Sequence, residues 1–265
     1  MHFVVLTIFP QMFGPFWAHG IIRRAIEQKR ILTSTLNIRD YASDRHQVTD
    51  DRPYGGGSGM VMKPEPLAGA IRAATRKMPA AGTVLLTPQG RPFSQKLAKE
   101  LAAFEGLVLI CGRYEGVDER ICHDYIDYEI SIGDYVLTGG ELAAMIIIDA
   151  VTRLIPGVLG GENAAENDSF SNGLLEHAHY TRPQNYEGRE VPEVLLSGHH
   201  QEIERWRLES SLMRTLRKRP DLLQKKILNR QEIEILDKWR REISEILKLQ
   251  TEKEAKSLNR SKKPE

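Results

Sequence analysis

The chain has 265 residues, 41% of them hydrophobic, enough for a well-buried core and, at about 100 to 200 residues per domain, for two domains. Its 37 Lys and Arg nearly balance 36 Asp and Glu, leaving a formal charge of +1, so attraction to a polyanion has to come from local clustering and not from net charge. With no secretory leader, no apolar run near the roughly 20 residues of a membrane span and only two cysteines, Cys111 and Cys122, a cytoplasmic protein with reduced thiols is expected.

Five short runs rich in Val, Ile and Leu read as strands: Phe3 to Ile8, Thr35 to Ile38, Val84 to Leu86, Leu107 to Cys111 and Ile126 to Ile132. Each closes on a turn signal, and helical periodicity lies between them, which predicts an α/β domain whose largely parallel sheet is covered on both faces. Ser94 suits the cap of a helix running to Phe104, and Glu141 to Leu154, apolar on nearly every face, predicts a helix buried on more than one side. These elements make residues 1–156 the first domain. Residues 157–173 (GVLGGENAAENDSFSNG) are mostly small and polar, as a flexible linker is. Helical periodicity at Gly198 to Lys218 and Gln231 to Leu249, broken by Pro220, makes 174–249 a small, mainly helical domain. The charged tail, 250–265, is expected to be disordered.

Three loops follow strands and precede helices: Thr87-Pro88-Gln89-Gly90, Cys111 to Gly116, and Ile132 to Gly140. Any one glycine among them could merely make a tight turn. Together, at the carboxyl edge of an open sheet, they predict one pocket whose free backbone groups read a nucleoside-like ligand. No GxxxxGK[ST] occurs, and no GxGxxG follows the first strand, which disfavours nucleotide hydrolysis and dinucleotide redox chemistry. The glycine run Gly55 to Gly59 could cradle a phosphate, but Met60 stands where a lysine is wanted.

From His199 to Arg219, six basic residues (Arg205, Arg207, Arg214, Arg217, Lys218, Arg219) face three acids (Glu202, Glu204, Glu209). With Trp206, His199 and His200, this helix suits phosphate contacts and base stacking on RNA; an amphipathic helix with Trp206 in a core fits equally. His177, His179, His199 and His200 lack a cysteine or carboxylate partner set at zinc spacing, so no structural metal is expected.

Five strings, Tyr54 to Met62 (YGGGSGMVM), CGRYEGVDER from Cys111, SIGDYVLTGGELA from Ser131, IPGVLG from Ile155 and HYTRP from His179, resemble the bacterial tRNA (guanine-N(1)-)-methyltransferase family over about Met1 to Leu249. The resemblance implies a SPOUT-type domain with a deep trefoil knot, which general rules of chain topology would exclude. It implies transfer of a methyl group from S-adenosylmethionine to N(1) of guanosine 37 of tRNA, next to the anticodon. The donor would lie against Pro88, Gly112, Tyr114, Glu115, Ile132, Gly133, Asp134, Tyr135, Val136, Leu137, Gly139 and Gly140. N(1) of neutral guanine carries a hydrogen, so the reaction needs a base, and charge growing on O6 wants a cation; by position these are Asp168 and Arg153. Read alone, Asp168 is a solvated linker acid and Arg153 a helix C-terminal cation. The family further implies a homodimer that shares its sites between subunits, and help from magnesium, with Glu115 as its ligand. A noncatalytic RNA-binding module with a nucleoside pocket and an enzyme of another nucleotide are the alternatives.

Overall fold

In the computed structural model, which describes residues 1–161 and 165–260, the five apolar runs pair into one sheet. In chain order the first unit, Met1–Ala165, carries β1 (His2–Thr7), α1 (Phe13–Trp17), α2 (Gly20–Glu27), β2 (Leu32–Asn37), the antiparallel pair β3 (Asp50–Asp51) and β4 (Val61–Met62), then α3 (Pro64–Lys77). It continues with β5 (Gly82–Pro92), α4 (Gln95–Ala102), β6 (Gly106–Cys111), α5 (Glu119–Tyr125), β7 (Tyr128–Ser131) and α6 (Glu141–Thr152). The sheet order is β2-β1-β6-β5-β7, and every pairing is parallel.

The strands are apolar without alternation because both faces are covered. Phe3, Val5, Val84, Leu86, Leu107, Leu109 and Cys111 point into a core with α2, α4 and α6. Their neighbours Val4, Leu6, Leu85, Val108 and Ile110 point the other way, against α3 and α5, as the two-residue period of a strand requires. Ser94 caps α4, its hydroxyl accepting from the Leu97 amide at 3.3 Å.

Two features depart from expectation. The run Val84 to Leu86 belongs to a longer strand: β5 leaves its partner after Leu86, bulges over 87–90, and rejoins β7 at Arg91. Gly90 is obligatory there, since a Cβ would run into the backbone of Glu129 and Ile130. Helix α6 buries one face only; Leu142 and Ile146 on the other are 51% and 44% exposed, so among the described residues nothing covers that apolar face.

The second unit, Glu166–Glu265, holds the hairpin β8 (Asn185–Tyr186) and β9 (Arg189–Glu190) and three helices, α7 (His200–Lys218), α8 (Pro220–Lys225) and α9 (Arg230–Arg260). Leu174, Leu212 and Ile235 form its core, with Leu208, Leu223 and Trp239 around them. Pro220 ends α7 and opens α8, as its fixed φ and missing N–H favour at a first helical position. Asn229 and Glu232 start α9 with a reciprocal capping box: each backbone amide donates to the other's side chain, at 2.8 and 3.0 Å.

The tail expected to be disordered is helical as far as Arg260, because its Glu, Lys, Leu and Ala residues favour helix and nothing before Arg260 breaks the periodic continuation of α9. Glu162, Asn163 and Ala164 of the expected linker, and residues 261–265 of the tail, lie outside the described residues.

Candidate active site

Strands β6 and β7 flank β5 on opposite sides, and the helices that connect them, α4 and α5, cover opposite faces of the sheet. Where connections diverge in this way, the carboxyl ends of the strands open a crevice. The excursion of β5 at 87–90 and the loops after β6 and β7 line a cleft of about 320 Å³ there, near the lower end of the usual range for small-ligand sites, about 300–1,000 Å³.

Of the residues the resemblance assigns to a donor, Pro88, Gly112, Tyr114, Glu115, Ile132, Gly133, Tyr135, Val136, Leu137, Gly139 and Gly140 line this cleft, while Asp134 does not. Its walls are zipped together by backbone. The Gly140 amide donates to the Gly112 carbonyl at 2.9 Å, the Glu115 amide to the Met60 carbonyl at 3.0 Å, and the Met62 amide to the Gly116 carbonyl at 2.9 Å. The loop that ends the Gly55 to Gly59 run is thereby drawn against the loop after β6. Gly140 allows the closest approach: a Cβ there would stand 2.8 Å from Cys111 Cα and 3.0 Å from Leu86 Cβ. Burial, followed by the neighbouring Asp50 carboxylate, pushes the Tyr114 phenol above its ordinary value, so it stays a neutral hydrogen-bonding group.

Arg113 on the cleft wall anchors a charged network, running down to a buried carboxylate, that spacing does not reveal. Glu141, the first residue of α6, is 1% exposed. Arg113 reaches it with Nη2 at 2.8 Å and Nε at 3.1 Å, and the Thr7 hydroxyl donates to the same carboxylate at 2.7 Å. The guanidinium also stacks over Phe9, 4.5 Å from the ring centre. Burial, then the Glu141 carboxylate, pushes the Cys111 thiol well up, against a smaller opposing effect of Arg113, which leaves it a neutral core group.

Arg153 is the C-terminal cap of α6 in the first unit. Asp168 belongs to the second, in a turn where its carbonyl accepts from the Ser171 amide at 3.1 Å. Along α7, Arg205 and Arg207 pair with Glu209 and Glu204, and Arg219 pairs with Asp221 beyond the helix end. Arg217 and Lys218 are exposed, whereas Trp206 is half-buried beside His177 and Tyr180.

Comparison with known proteins gives one answer. The family described as tRNA (Guanine-1)-methyltransferase TrmD matches residues 1–225. A tRNA (guanine-N(1)-)-methyltransferase of Desulfatibacillum aliphaticivorans is 57% identical over 250 residues, 94% of this chain and 95% of that one. Another of that name, from Geobacter sulfurreducens, is 55% identical over 242 residues, 91% of this chain and 99% of its own. A match that runs from β1 through α8 takes in every loop of the cleft and the Asp168 turn, and by it this chain belongs to the tRNA (guanine-1)-methyltransferase family.

Proposed function

We propose that this protein transfers the methyl group of S-adenosylmethionine to N(1) of guanosine 37 of tRNA, the nucleoside next to the anticodon. The observation that carries the reading is the convergence of the excursion within β5 and of the loops after β6 and β7, the latter two bearing the family's strings, on one cleft at the sheet's carboxyl edge. The donor set fits. Gly133, Gly139 and Gly140 stand where an added Cβ would run into Tyr135, Arg113 and the Cys111 backbone, so their absence of side chains lets the walls close tightly about an adenine and ribose, and Ile132 and Leu137 add apolar walls. When bound, S-adenosylmethionine supplies an electrophilic methyl group carried on a sulfonium.

The chain's own groups do the rest. Asp168 accepts the proton from N(1), and Arg153 offers its guanidinium to the negative charge that grows on O6. Magnesium belongs to this reading, with the Glu115 carboxylate on the cleft wall as its ligand. The family's trefoil knot would fall in residues 82–152, a reading supported by the excursion at 87–90 and the Gly112–Gly140 contact between the loops after β6 and β7. A homodimer that shares its sites would cover the apolar outer face of α6, where Leu142 and Ile146 are exposed. Exposed Arg217 and Lys218 on α7 suit tRNA phosphates. No described helix is long and apolar enough to cross a membrane, and a tRNA substrate supports a cytoplasmic enzyme.

The deciding experiment is transfer of labelled methyl from S-adenosylmethionine to unmodified tRNA transcripts carrying guanosine or adenosine at position 37. Incorporation confined to the guanosine transcript is the expected result. Binding of S-adenosylhomocysteine and tRNA without incorporation would instead favour a noncatalytic RNA-binding module. Gly140→Ala tests the cleft itself. The added methyl meets backbone and cannot rotate away, so affinity for S-adenosylhomocysteine should fall about tenfold or more in calorimetric titration, a loss of at least about 1.4 kcal/mol.

A further inference from the structure

The segment before Tyr180 brings three potential metal ligands together. One ligand atom from each of Glu176, His177 and His179 lies within 4.8 Å of the other two. Reading the histidines by their spacing overlooks Glu176, which supplies the missing carboxylate from the adjacent position. His179 Nε2 lies 3.0 Å from Glu176 Oε1, and the two imidazole rings are 4.5 Å apart between centres. His177 Nδ1 stands 3.0 Å from the Ala178 carbonyl oxygen. A carbonyl only accepts, so this contact holds the ring proton on Nδ1 and leaves the Nε2 lone pair for a ligand, as in metal-bound histidines oriented by a backbone carbonyl.

The backbone under the cluster is fixed in advance. The Leu175 amide donates to Thr215 Oγ1 at 2.9 Å, Glu176 to Ser169 Oγ at 3.0 Å, and Ala178 to Ser210 Oγ at 3.0 Å. Two of these acceptors are on α7, so little chain ordering remains to oppose binding.

We infer that Glu176, His177 and His179 form a site for a divalent transition-metal ion, zinc by preference, with a fourth position left to water. Two imidazoles and one carboxylate suit Zn²⁺, Co²⁺ and Ni²⁺, whereas Mg²⁺ and Ca²⁺ favour oxygen alone. Tetrahedral zinc with bonds of about 2.0–2.2 Å holds its ligand atoms roughly 3.4 Å apart, so side-chain rotation closes the set without moving the anchored backbone. The ion takes the place of any proton held between His179 and Glu176.

Titration of tag-free, full-length protein with Co²⁺, followed by visible absorption, and with Zn²⁺, followed by calorimetry, tests the site. One saturable equivalent and a tetrahedral cobalt band are expected. His177→Ala and His179→Ala should each weaken Zn²⁺ binding at least tenfold and remove the band, and Glu176→Gln, which keeps the side chain's shape, should weaken it also. The double variant His199→Ala/His200→Ala should bind as the parent does. Melting curves establish that each variant is folded. Absence of saturable binding to the parent protein would overturn the assignment, as would unchanged affinity in folded His177→Ala and His179→Ala.

Discussion

Replacing Asp168 with alanine should slow methyl transfer by about 10² to 10⁴-fold, the range a positioned general base contributes, while S-adenosylhomocysteine binds as before. The two readouts separate because the residues proposed for the donor lie in the first unit and Asp168 lies in the second. The loss follows from the substrate: N(1) of guanine keeps its hydrogen at neutral pH, and a protonated nitrogen has no free pair to offer a methyl group. Asp168→Asn, with the same shape and no basic oxygen, should fall nearly as far. Single-turnover assays with saturating donor measure the step directly, without product release. An equal fall in donor affinity would move Asp168 from proton transfer to binding, and a full rate in Asp168→Asn would require another base.

Much of the first unit is legible in the chain because strands buried on both faces have a plain signature. Unbroken runs such as Leu107 to Cys111 can be read without knowing their neighbours, and all six residues of β6 are buried. The order in which the strands assemble is a nonlocal property. Nothing in residues 82–92 says that β5 will lie between β6 and β7, or that Gly90 must be bare because the backbone of β7 passes over it. Helix α6 shows the converse limit. Its sequence reports every apolar face, and the described residues cover only one of them.

The candidate site was readable to the extent that it is made of glycine-bearing loops after strands. Residues acting through burial were not. Arg113 and Glu141 sit in strings rich in polar residues, and nothing local distinguishes a charge that will be solvated from one that will be sealed beneath a cleft. Glu176 is hidden for a related reason: a carboxylate beside a histidine carries no spacing signal until the backbone brings their ligand atoms together. The tail poses the opposite problem. Charge alone argued for disorder, while the residues carrying it are good helix formers that extend α9.

Glu141→Ala should be the most destabilising single substitution near the cleft. The carboxylate faces a guanidinium at 2.8 Å and a hydroxyl at 2.7 Å, and it sits at the N-terminus of α6, where negative charge is favoured. Its removal strands the Arg113 cation, only 16% exposed, without its carboxylate partner. Breaking a buried pair in this way costs about 3–5 kcal/mol, or roughly 6–20 °C in melting temperature for a unit of this size. The effect should also pass into the cleft, because Arg113 bridges to Gly139 and its neighbour Gly112 accepts from Gly140. Stability and donor binding can be separated by replacing both partners. Arg113→Met with Glu141→Leu leaves no orphaned charge, so it should recover most of the lost melting temperature, as apolar replacements of buried pairs commonly do. If the network also shapes the loops, S-adenosylhomocysteine affinity should stay reduced in that recovered protein. Recovery of both together would confine Arg113 and Glu141 to stability. A melting temperature for Glu141→Ala within about 2 °C of the parent would show that Arg113 is not left stranded, its guanidinium being satisfied by solvent or another partner once the carboxylate is gone.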